Sequence, residues 1–339
     1  MGIQNDFFPE DIIEMRALSP VISDYDHYVI AFSGGKDSIA CLLHLLDLKV
    51  DKSKIVLLHH DIDGEESTLM DWPCTKSYCQ KIADDLGIVI RFSWKVGGFE
   101  GEMLRENALT KPVRFECSSG VIKQVGGERG KLNTRRMFPQ LSASLTTRWC
   151  SAYNKIDVGK KVLIHDPMFS QGKILFITGE RAAESSARSK YDTFGPHEAD
   201  NRFGKHVKRY IDHWRPVHSW DEKAVWSIME KHRILAHPAY YCGWGRCSCL
   251  SCIFGSKNQW ATIRKFMNNE FIKIADYEAE FGVTIHRTLT VNELADKGVA
   301  YNVEARWLKL AMSRTFKENT IVDAWILPEG AYGESNGPT

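Results

Sequence analysis

The chain has 339 residues, of which 43% are hydrophobic and 26% are charged, so it can bury one large core or two modest ones. Its net charge of +1 does not exclude a nucleic-acid partner, because a neutral total is compatible with a local basic face. No apolar stretch approaches the ~20 residues that a membrane span needs, and the first residues lack the pattern of a secretion signal. We therefore expect a cytoplasmic protein without a membrane partner, whose nine cysteines are thiols or metal ligands rather than a disulfide framework.

Strands and helices alternate along the first two thirds of the chain. The stretches YVIAF, KIVLLHHD, GIVIRFSW and KILFITGE are typical of strands, and IACLLHLLD and DWPCTKSYCQKIADDLG are typical of helices. This alternation predicts an α/β fold with a doubly wound, mainly parallel sheet.

Two changes in composition suggest how the chain is divided. Between about 97 and 147 the sequence is rich in Gly, Arg and Lys, which predicts a long insertion. From about 219 onward helical patterns dominate, interrupted by the Cys-rich YYCGWGRCSCLSCIFGS. We expect a first domain over 1–218 and a helical, Cys-rich C-terminal module over 219–339.

A Gly-rich turn between the first strand and helix is the strongest local signal. A turn at this position presents free N–H groups and the positive end of a helix dipole, which favours phosphate. Gly34 and Gly35 allow close backbone approach, Lys36 adds a positive charge, and Asp37 either holds a magnesium ion or orients the turn. The spacing fits neither the Walker A nor the dinucleotide pattern, and an ordinary capped turn is the alternative. The candidate loop consists of Ser33, Gly34, Gly35, Lys36, Asp37 and Ser38.

This loop resembles the SGGxDS pyrophosphate loop of the PP-loop, N-type ATP pyrophosphatases. The resemblance implies that the loop grips the β and γ phosphates of ATP while a nucleophile attacks the α phosphorus, leaving an adenylate and pyrophosphate. HHDIDGEES fits the same family and implies that Asp61 lies near the nucleotide and its Mg²⁺, although Asp61 alone is equally typical of a helix or turn cap. The catalytic residues implied are Ser33, Lys36, Asp37, Ser38 and Arg181.

Three further motifs resemble the phosphoadenylyl-sulfate reductase-like group, and within it the DNA phosphorothioation ATP pyrophosphatases of DndC/SspD type. TTRWCSAYNKID resembles the RWC-x-x-x-x-K signature through Arg148, Trp149, Cys150 and Lys155. ITGERAAESSARS resembles the G-x-R-x-x-E-S-x-x-R signature, and WRPVHSWDEKAVW resembles a P-[IV]-x-x-W segment. The resemblance implies that the nucleotide also contacts Gly179, Arg181, Glu184 and Arg188, although a surface ion pair is the alternative for any one of these charges.

Four cysteines lie within eleven residues, and Cys249 and Cys252 are spaced so that both thiolates can reach one metal. With Cys150 from the first domain, a four-thiolate site is available. The segment resembles the CG-x-x-R-x-x-C-x-x-C stretch of the DNA phosphorothioation proteins. The resemblance implies a 4Fe-4S cluster, with a structural zinc as the alternative metal. The implied ligands are Cys150, Cys242, Cys249 and Cys252, with Cys247 as the spare or as a replacement for Cys242.

The resemblance predicts adenylation of an acceptor for sulfur incorporation. The acceptor it implies first is a DNA backbone phosphate, with sulfur supplied by a cysteine desulfurase and with other modification-pathway proteins as partners; self-association is left open. Two basic stretches suit nucleic acid, KQVGGERGKLNTRR and NRFGKHVKRYIDHWR, although a solvated loop and an amphipathic helix are the alternatives.

Three other functions stay open at this point. A tRNA thiolation enzyme would use the same loop and cluster on a base, and a nucleotide-sensing regulator would bind ATP without turnover. A phosphoadenylyl-sulfate reductase would carry a nucleophilic cysteine in an E-C-G-[IL]-H tail, whereas this sequence has no cysteine after Cys252.

Overall fold

A computed structural model of the chain describes residues 19–65, 68–142, 144–247 and 249–334. The N-terminal stretch 1–18, and Glu66 and Ser67 of the HHDIDGEES motif, lie outside the described residues. In the described part, eight strands form one sheet in the order β5-β4-β3-β2-β1-β6-β8-β7. The strands are β1 His27–Ala31, β2 Ile55–Asp61, β3 Val89–Lys95, β4 Val113–Glu116, β5 Ile122–Val125, β6 Lys173–Ile177, β7 Phe194–Pro196 and β8 Tyr210–Trp214.

Helices separate and follow these strands. They are α1 Lys36–Asp47, α2 Thr75–Leu86, α3 Gly98–Met103, α4 Trp149–Ser151, α5 Asp157–His165, α6 Glu222–Lys231, α7 Pro238–Tyr241, α8 Lys257–Phe266, α9 Asn268–Phe281, α10 Val291–Asp296 and α11 Ala305–Ala311. A π-helical turn, Ala152–Ile156, joins α4 to α5. Within the described ranges, none of these helices has the length and apolar character needed to cross a bilayer.

The sheet is mostly parallel, as the sequence predicts. Strands β3, β2, β1, β6 and β8 run in the same direction, and β1 lies between β2 and β6. The hairpin β4–β5 and the short β7 add antiparallel strands at the two edges. The α/β class is therefore confirmed, and the arrangement is compatible with a doubly wound fold.

The two faces of the sheet bury different apolar sets, because successive residues of a strand point to opposite faces. Ile30 of β1 belongs to the larger core with α1, α2 and the C-terminal helices. Val29, its neighbour, packs in a smaller core with Val162 and Leu163 of α5. Helices therefore cover both faces, which explains why the central strands are apolar throughout.

Two stretches have structures that the sequence pattern did not predict. The region 97–147 contains α3 and the hairpin β4–β5, which extends the sheet beyond β3. In NRFGKHVKRYIDHWR, an exposed loop is followed by β8, so the amphipathic helix considered for this stretch is not formed. Asp212 of β8 is buried and accepts hydrogen bonds from Tyr25 and Arg202, so part of the basic character is neutralised internally.

The C-terminal region is helical from α6 onward. Asp221 caps α6 by accepting a hydrogen bond from the Ala224 N–H, and Ser256 caps α8 with Gln259 in a capping box. Trp226 and Trp260 of these helices belong to the same hydrophobic core as α1. The division of the chain near 218 stays a prediction.

Alanine substitutions at two glycines, Gly98 and Gly87, test how tightly the turn after β2 packs against α3. A Cβ at Gly98 would lie 2.0 Å from the Asp63 carbonyl oxygen, whereas a Cβ at Gly87 meets no atom within 4 Å. Both residues have positive φ, so alanine carries roughly 1–2 kcal/mol of backbone strain at either position. We expect Gly98→Ala to lower the free energy of unfolding by at least twice as much as Gly87→Ala in urea titrations. Equal losses would contradict the close packing.

Candidate functional site

Three of the predicted stretches meet at the carboxyl ends of neighbouring parallel strands. The loop 33–38 follows β1, Asp61 ends β2, and Gly179 follows β6, and these strands are parallel neighbours. From β1 the chain extends the sheet to β2 and β3 on one side, and later to β6 and β8 on the other. The crevice between β1 and β6 is therefore the point where strand order reverses, which is where open α/β sheets bind ligands.

The loop after β1 is held by short-range hydrogen bonds. Gly34 has a φ of +75°, and a Cβ there would lie 2.8 Å from the Cys79 sulfur, so only glycine fits. The Gly35 N–H donates to Ser33 Oγ at 3.3 Å, and Ser38 Oγ donates to the Gly35 carbonyl at 2.9 Å. The two serine hydroxyls are 3.3 Å apart. The loop thus has a defined shape, with Ser33 exposed and Ser38 buried.

Lys36 is buried at the start of α1, with 2% of its surface exposed. Its ammonium donates to the Gly245 carbonyl at 3.3 Å and lies 3.4 Å from Glu222 and 3.5 Å from Asp37. Its backbone N–H donates to the hydroxyl of Tyr240 at 3.0 Å. The C-terminal region therefore contacts the loop directly at both ends of this lysine.

Asp37 joins the loop to the turn after β6. Arg181 Nε donates to Asp37 Oδ1 at 2.6 Å, and Arg181 is buried. Burial opposes ionisation of Asp37, but Lys36 and Arg181 together lower its pKa below the usual range. A Cβ at Gly179 would lie 2.9 Å from the Asp37 carbonyl, so the approach of the two loops requires glycine there.

Glu184 organises the arginines of the turn after β6. One of its oxygens accepts from the Arg181 N–H at 2.9 Å and pairs with the guanidinium of Arg188. The other lies 4.0 Å from a guanidinium nitrogen of Arg246, in the Cys-rich segment. Glu184 therefore positions Arg181 through its backbone.

Asp61 lies at the carboxyl end of β2, near the carboxyl groups of Asp63 and Asp71. Its Oδ1 accepts from the Gly64 N–H at 3.0 Å, and its Oδ2 is 3.8 Å from the Lys76 ammonium. Burial raises the pKa of Asp63 to about 6, although backbone N–H groups oppose the shift. Burial and the charges of Asp63 and Asp61 raise the pKa of Asp71 to about 7.

Three thiols from two parts of the chain lie close enough to influence one another. Burial raises the pKa of Cys249, Lys155 lowers it, and the nearby thiols of Cys252 and Cys150 raise it further. Burial, followed by Cys252, likewise raises the pKa of Cys150. The structure therefore brings Cys150 to the Cys-rich segment.

The other two candidate thiols have different surroundings. Burial alone raises the pKa of Cys242 to about 12, and Cys242 in turn raises the pKa of Cys74. Cys247 is fully enclosed, and its pKa is raised by burial and then by several neighbours that include Cys74 and Cys249.

The thiols are chemically suitable metal ligands, but the described residues do not form a closed metal-binding group. Thiolates are the ligands that zinc and iron–sulfur clusters prefer, and they must lose their protons to bind. Across the described ranges, no group of three or more His, Cys, Asp or Glu side chains is placed closely enough to hold a metal ion.

The sequence patterns did not predict contacts between residues that are far apart in the chain. Tyr240 and Glu222 contact Lys36, and Arg246 approaches Glu184. These residues are 204, 186 and 62 positions from their partners in the numbering of the chain, so no local pattern indicates the contacts. The CG-x-x-R resemblance contained Arg246 but gave it no role.

The comparisons with known proteins add no relative. No protein-family model matches the chain, and no curated protein is similar enough to count as a match.

The buried carboxyls predict a pH dependence of stability. Asp63 and Asp71 hold protons in the folded chain at pH values where the unfolded chain, with an Asp pKa of 3.8, has released them. The free energy of unfolding should therefore fall as pH rises from about 4 to 7. We expect Asp71→Asn, which keeps an oxygen for the Trp72 N–H and the Thr75 hydroxyl, to reduce this fall. The exposed Asp323→Asn is the control, and equal slopes in both variants would contradict the assignment.

Proposed function

We propose that the chain is an ATP pyrophosphatase that activates an acceptor by adenylation for sulfur incorporation. The observation that carries the proposal is the placement of Lys36, Asp37 and Arg181 in the crevice between β1 and β6. A Gly-rich loop, a helix N-terminus and two cations at a reversal of strand order suit a polyphosphate. The resemblance of SGGKDS to the pyrophosphate loop specifies the kind of cleavage.

In the proposed reaction, an acceptor oxygen attacks the α phosphorus of ATP. The bond from the α phosphorus to the bridging oxygen breaks, and pyrophosphate leaves with the electron pair. Lys36 and the N–H groups at the start of α1 stabilise the charge on the departing pyrophosphate. Asp37 holds Lys36 and Arg181 in place, the exposed Ser33 offers a hydroxyl within the loop, and Ser38 fixes the shape of the loop by donating to the Gly35 carbonyl.

A magnesium ion normally accompanies ATP, and it prefers carboxylate oxygens. Asp37 already has two cationic partners, so it is a poor magnesium ligand. Asp61 fits better, because its Oδ2 has only a distant lysine as a charged partner at 3.8 Å. In this proposal Asp61 holds the ion, which neutralises phosphate charge, and Asp37 positions the cationic side chains.

The proposed acceptor is a DNA backbone phosphate, whose oxygen is a poor leaving group until AMP is attached. The outermost strand, β5, ends on the same side of the sheet as the carboxyl ends of the parallel strands, and the exposed Arg129 and Lys131 follow it, which supports the first basic stretch as the one that binds DNA. The exposed Lys205 and Lys208 precede β8. They therefore lie at the amino ends of the parallel strands, on the side opposite the loop 33–38. A cysteine desulfurase would supply the sulfur, and it and other modification-pathway proteins are partners by resemblance alone.

We also propose that Cys150, Cys249 and Cys252 hold a 4Fe-4S cluster, with zinc as the alternative metal and Cys242 or Cys247 as the fourth ligand. The proximity of Cys150 and Cys252 to Cys249, with Lys155 nearby, supports this proposal. A cluster would supply electron transfer or sulfur binding next to the adenylation site.

The reaction is tested by the products formed from ATP and Mg²⁺ with anaerobically purified protein, with and without duplex DNA. We expect AMP and pyrophosphate, and a fall in rate of roughly a hundredfold or more in Asp37→Ala, because the cations lose their anchor. Ser33→Ala should also lower the rate. Asp47→Ala is the matched control, since Asp47 ends the same helix and pairs with Lys231.

Unchanged turnover in both Asp37→Ala and Ser33→Ala would refute the catalytic assignment. Tight binding of ATP without any pyrophosphate release, even with DNA and a sulfur donor present, would favour a nucleotide-sensing regulator.

The metal proposal is tested by metal content and visible absorption of protein purified without oxygen. We expect about four iron atoms per chain and their loss in Cys150→Ser and Cys249→Ser. Cys117→Ser is the control, because Cys117 is buried in the smaller core on the opposite face of the sheet. Whether Cys242→Ser or Cys247→Ser removes the metal identifies the fourth ligand. Wild-type protein without metal, or with metal that survives Cys249→Ser, would contradict the proposal.

A further inference from the structure

A cleft at the carboxyl end of β8 lies outside the crevice that the proposed function uses. Its volume is about 440 Å³, within the range of roughly 300–1,000 Å³ that small-molecule sites occupy. The end of β8 contributes to its lining, together with β7 and the residues that precede β7. The lining residues include Lys190, Tyr191, Asp192, Gly195, His213 and Arg215.

Arg215 lines this cleft with a guanidinium that is held in a fixed position. Its Nε donates to Glu180 at 3.2 Å, and its Nη1 donates to the Asp192 carbonyl at 2.6 Å. The guanidinium carbon is 5.1 Å from the centre of the Tyr191 ring. The two hydrogen bonds use two of the five N–H donors of a guanidinium, so further donors remain in a defined orientation. Such a group loses little freedom when it binds an anion.

The charges that line the cleft favour an anion. Lys190 is exposed and adds a second cation to that of Arg215, whereas Asp192 contributes one carboxylate. Burial lowers the pKa of His213 to about 3, so its ring is neutral near neutral pH. The lining residues therefore carry a net positive charge.

The hydrogen bonds of His213 determine which of its ring nitrogens carries the proton. The Thr178 hydroxyl donates to the carboxylate of Glu180, and its oxygen lies 2.7 Å from His213 Nε2. Because a hydroxyl has one proton to donate, Thr178 accepts from Nε2, and the lone pair of the neutral ring is on Nδ1. His213 thus brings a hydrogen-bond acceptor to the lining of the cleft, suited to an N–H or hydroxyl group of a ligand.

Tyr191 supplies an aromatic surface next to these polar groups. Its side chain is 40% exposed, and its ring lies beside the guanidinium of Arg215. Aromatic rings beside cations are the surfaces on which proteins stack nucleobases. Cations for a phosphate, a ring for a base and an acceptor for a base or sugar group together match a nucleoside phosphate better than an inorganic anion.

The turn after β6 separates the cleft from the loop 33–38. Arg181 of this turn donates to Asp37 at 2.6 Å, whereas the preceding residue, Glu180, accepts from Arg215 at 3.2 Å. Consecutive side chains of one turn therefore contact the crevice between β1 and β6 and the cleft beside β8 separately.

We propose that the cleft lined by Lys190, Tyr191, His213 and Arg215 is a nucleotide site separate from the loop 33–38, in which the two cations bind the phosphate of a nucleoside phosphate and Tyr191 contacts its base. This inference goes beyond the proposed function and does not depend on it. A free mononucleotide and a nucleotide within a DNA strand share this chemistry, so the test includes both.

Gly195 allows the cleft to be filled without removing any charge. It is paired with His213 between β7 and β8, so a side chain at this position points to the same face of the sheet as His213. A Cβ at Gly195 would meet no atom within 4 Å, and the residue lacks the positive φ that would strain a larger side chain. We therefore expect Gly195→Leu to fold and to occupy the cleft.

The test is calorimetric titration of the full chain with thymidylate, with thymidine, inorganic phosphate and a short single-stranded oligothymidylate as comparison probes. We expect the wild type to bind thymidylate roughly tenfold more tightly than thymidine or phosphate, because each of these lacks part of the contacts. Gly195→Leu should weaken thymidylate binding roughly tenfold or more, and Lys190→Gln should weaken it roughly fivefold by removing a charge-assisted contact. Lys231→Gln, at an exposed lysine paired with Asp47, is the matched control.

Tighter binding of the oligothymidylate than of thymidylate would assign the cleft to a nucleic-acid strand, and the reverse would assign it to a free mononucleotide. No thymidylate binding to the wild type, equal binding to Gly195→Leu, or phosphate binding as tight as that of thymidylate would overturn the proposal. Circular dichroism identifies any variant that misfolds, and Lys190→Gln, a change at the surface, keeps the test decisive if Gly195→Leu does so.

A separate titration with Mg–ATP distinguishes this proposal from the proposed function. Gly195→Leu should bind Mg–ATP as the wild type does, because the loop 33–38 lies on the other side of the turn after β6. Equal losses of Mg–ATP and thymidylate binding in Gly195→Leu would show that both occupy one site, which would overturn the inference. Failure of the wild type to bind Mg–ATP, with thymidylate still bound, would contradict the proposed function and support the separate cleft.

Discussion

The buried ammonium of Lys36 is the charge around which the candidate site is arranged. Removing an ammonium from water costs several kcal/mol unless partners surround it. Those partners are Asp37 beside it, Glu222 of α6 and the Gly245 carbonyl. Because two of the three come from the C-terminal region, the Lys36 ammonium keeps its partners only when that region is packed against the loop after β1.

Charges of alternating sign extend from this lysine across the crevice between β1 and β6. Lys36 contacts Asp37, and Asp37 contacts Arg181. Arg181 is positioned through its backbone by Glu184, which faces further arginines. An anion that binds at one point of such a network changes the balance at the next. Phosphates bound in this crevice, as the proposed function requires, would therefore be sensed by several of these residues at once.

The sequence predicted the parts of the structure that depend on local patterns. β1, β2, β3 and β6 are short apolar runs, and their alternation with helices was sufficient for the fold class. The turn after β1 was recognisable because glycine and a following helix have a known physical meaning there. The spacing of Cys249 and Cys252 likewise indicated a pair, although whether they hold a metal stays a prediction.

The remaining features depend on contacts that the linear pattern does not contain. The contact of Tyr240 with Lys36 joins residues that are 204 positions apart in the chain. β8 was missed because the alternation of YIDHW is short and its Asp212 is polar, whereas buried pairing with Arg202 makes that aspartate compatible with a strand. The hairpin β4–β5 consists of two strands of four residues each, and strands this short give a weak sequence signal.

Binding of Mg–ATP to Lys36→Met, measured by titration calorimetry, shows whether the loop after β1 holds the phosphates of ATP. Methionine keeps much of the buried volume and removes the charge. We expect the dissociation constant to rise roughly tenfold or more, because a charge-assisted contact with phosphate is lost. Lys231→Met, on an exposed ion pair with Asp47, should bind as the wild type does. Unchanged affinity in Lys36→Met would mean that the loop after β1 does not hold the phosphates of ATP.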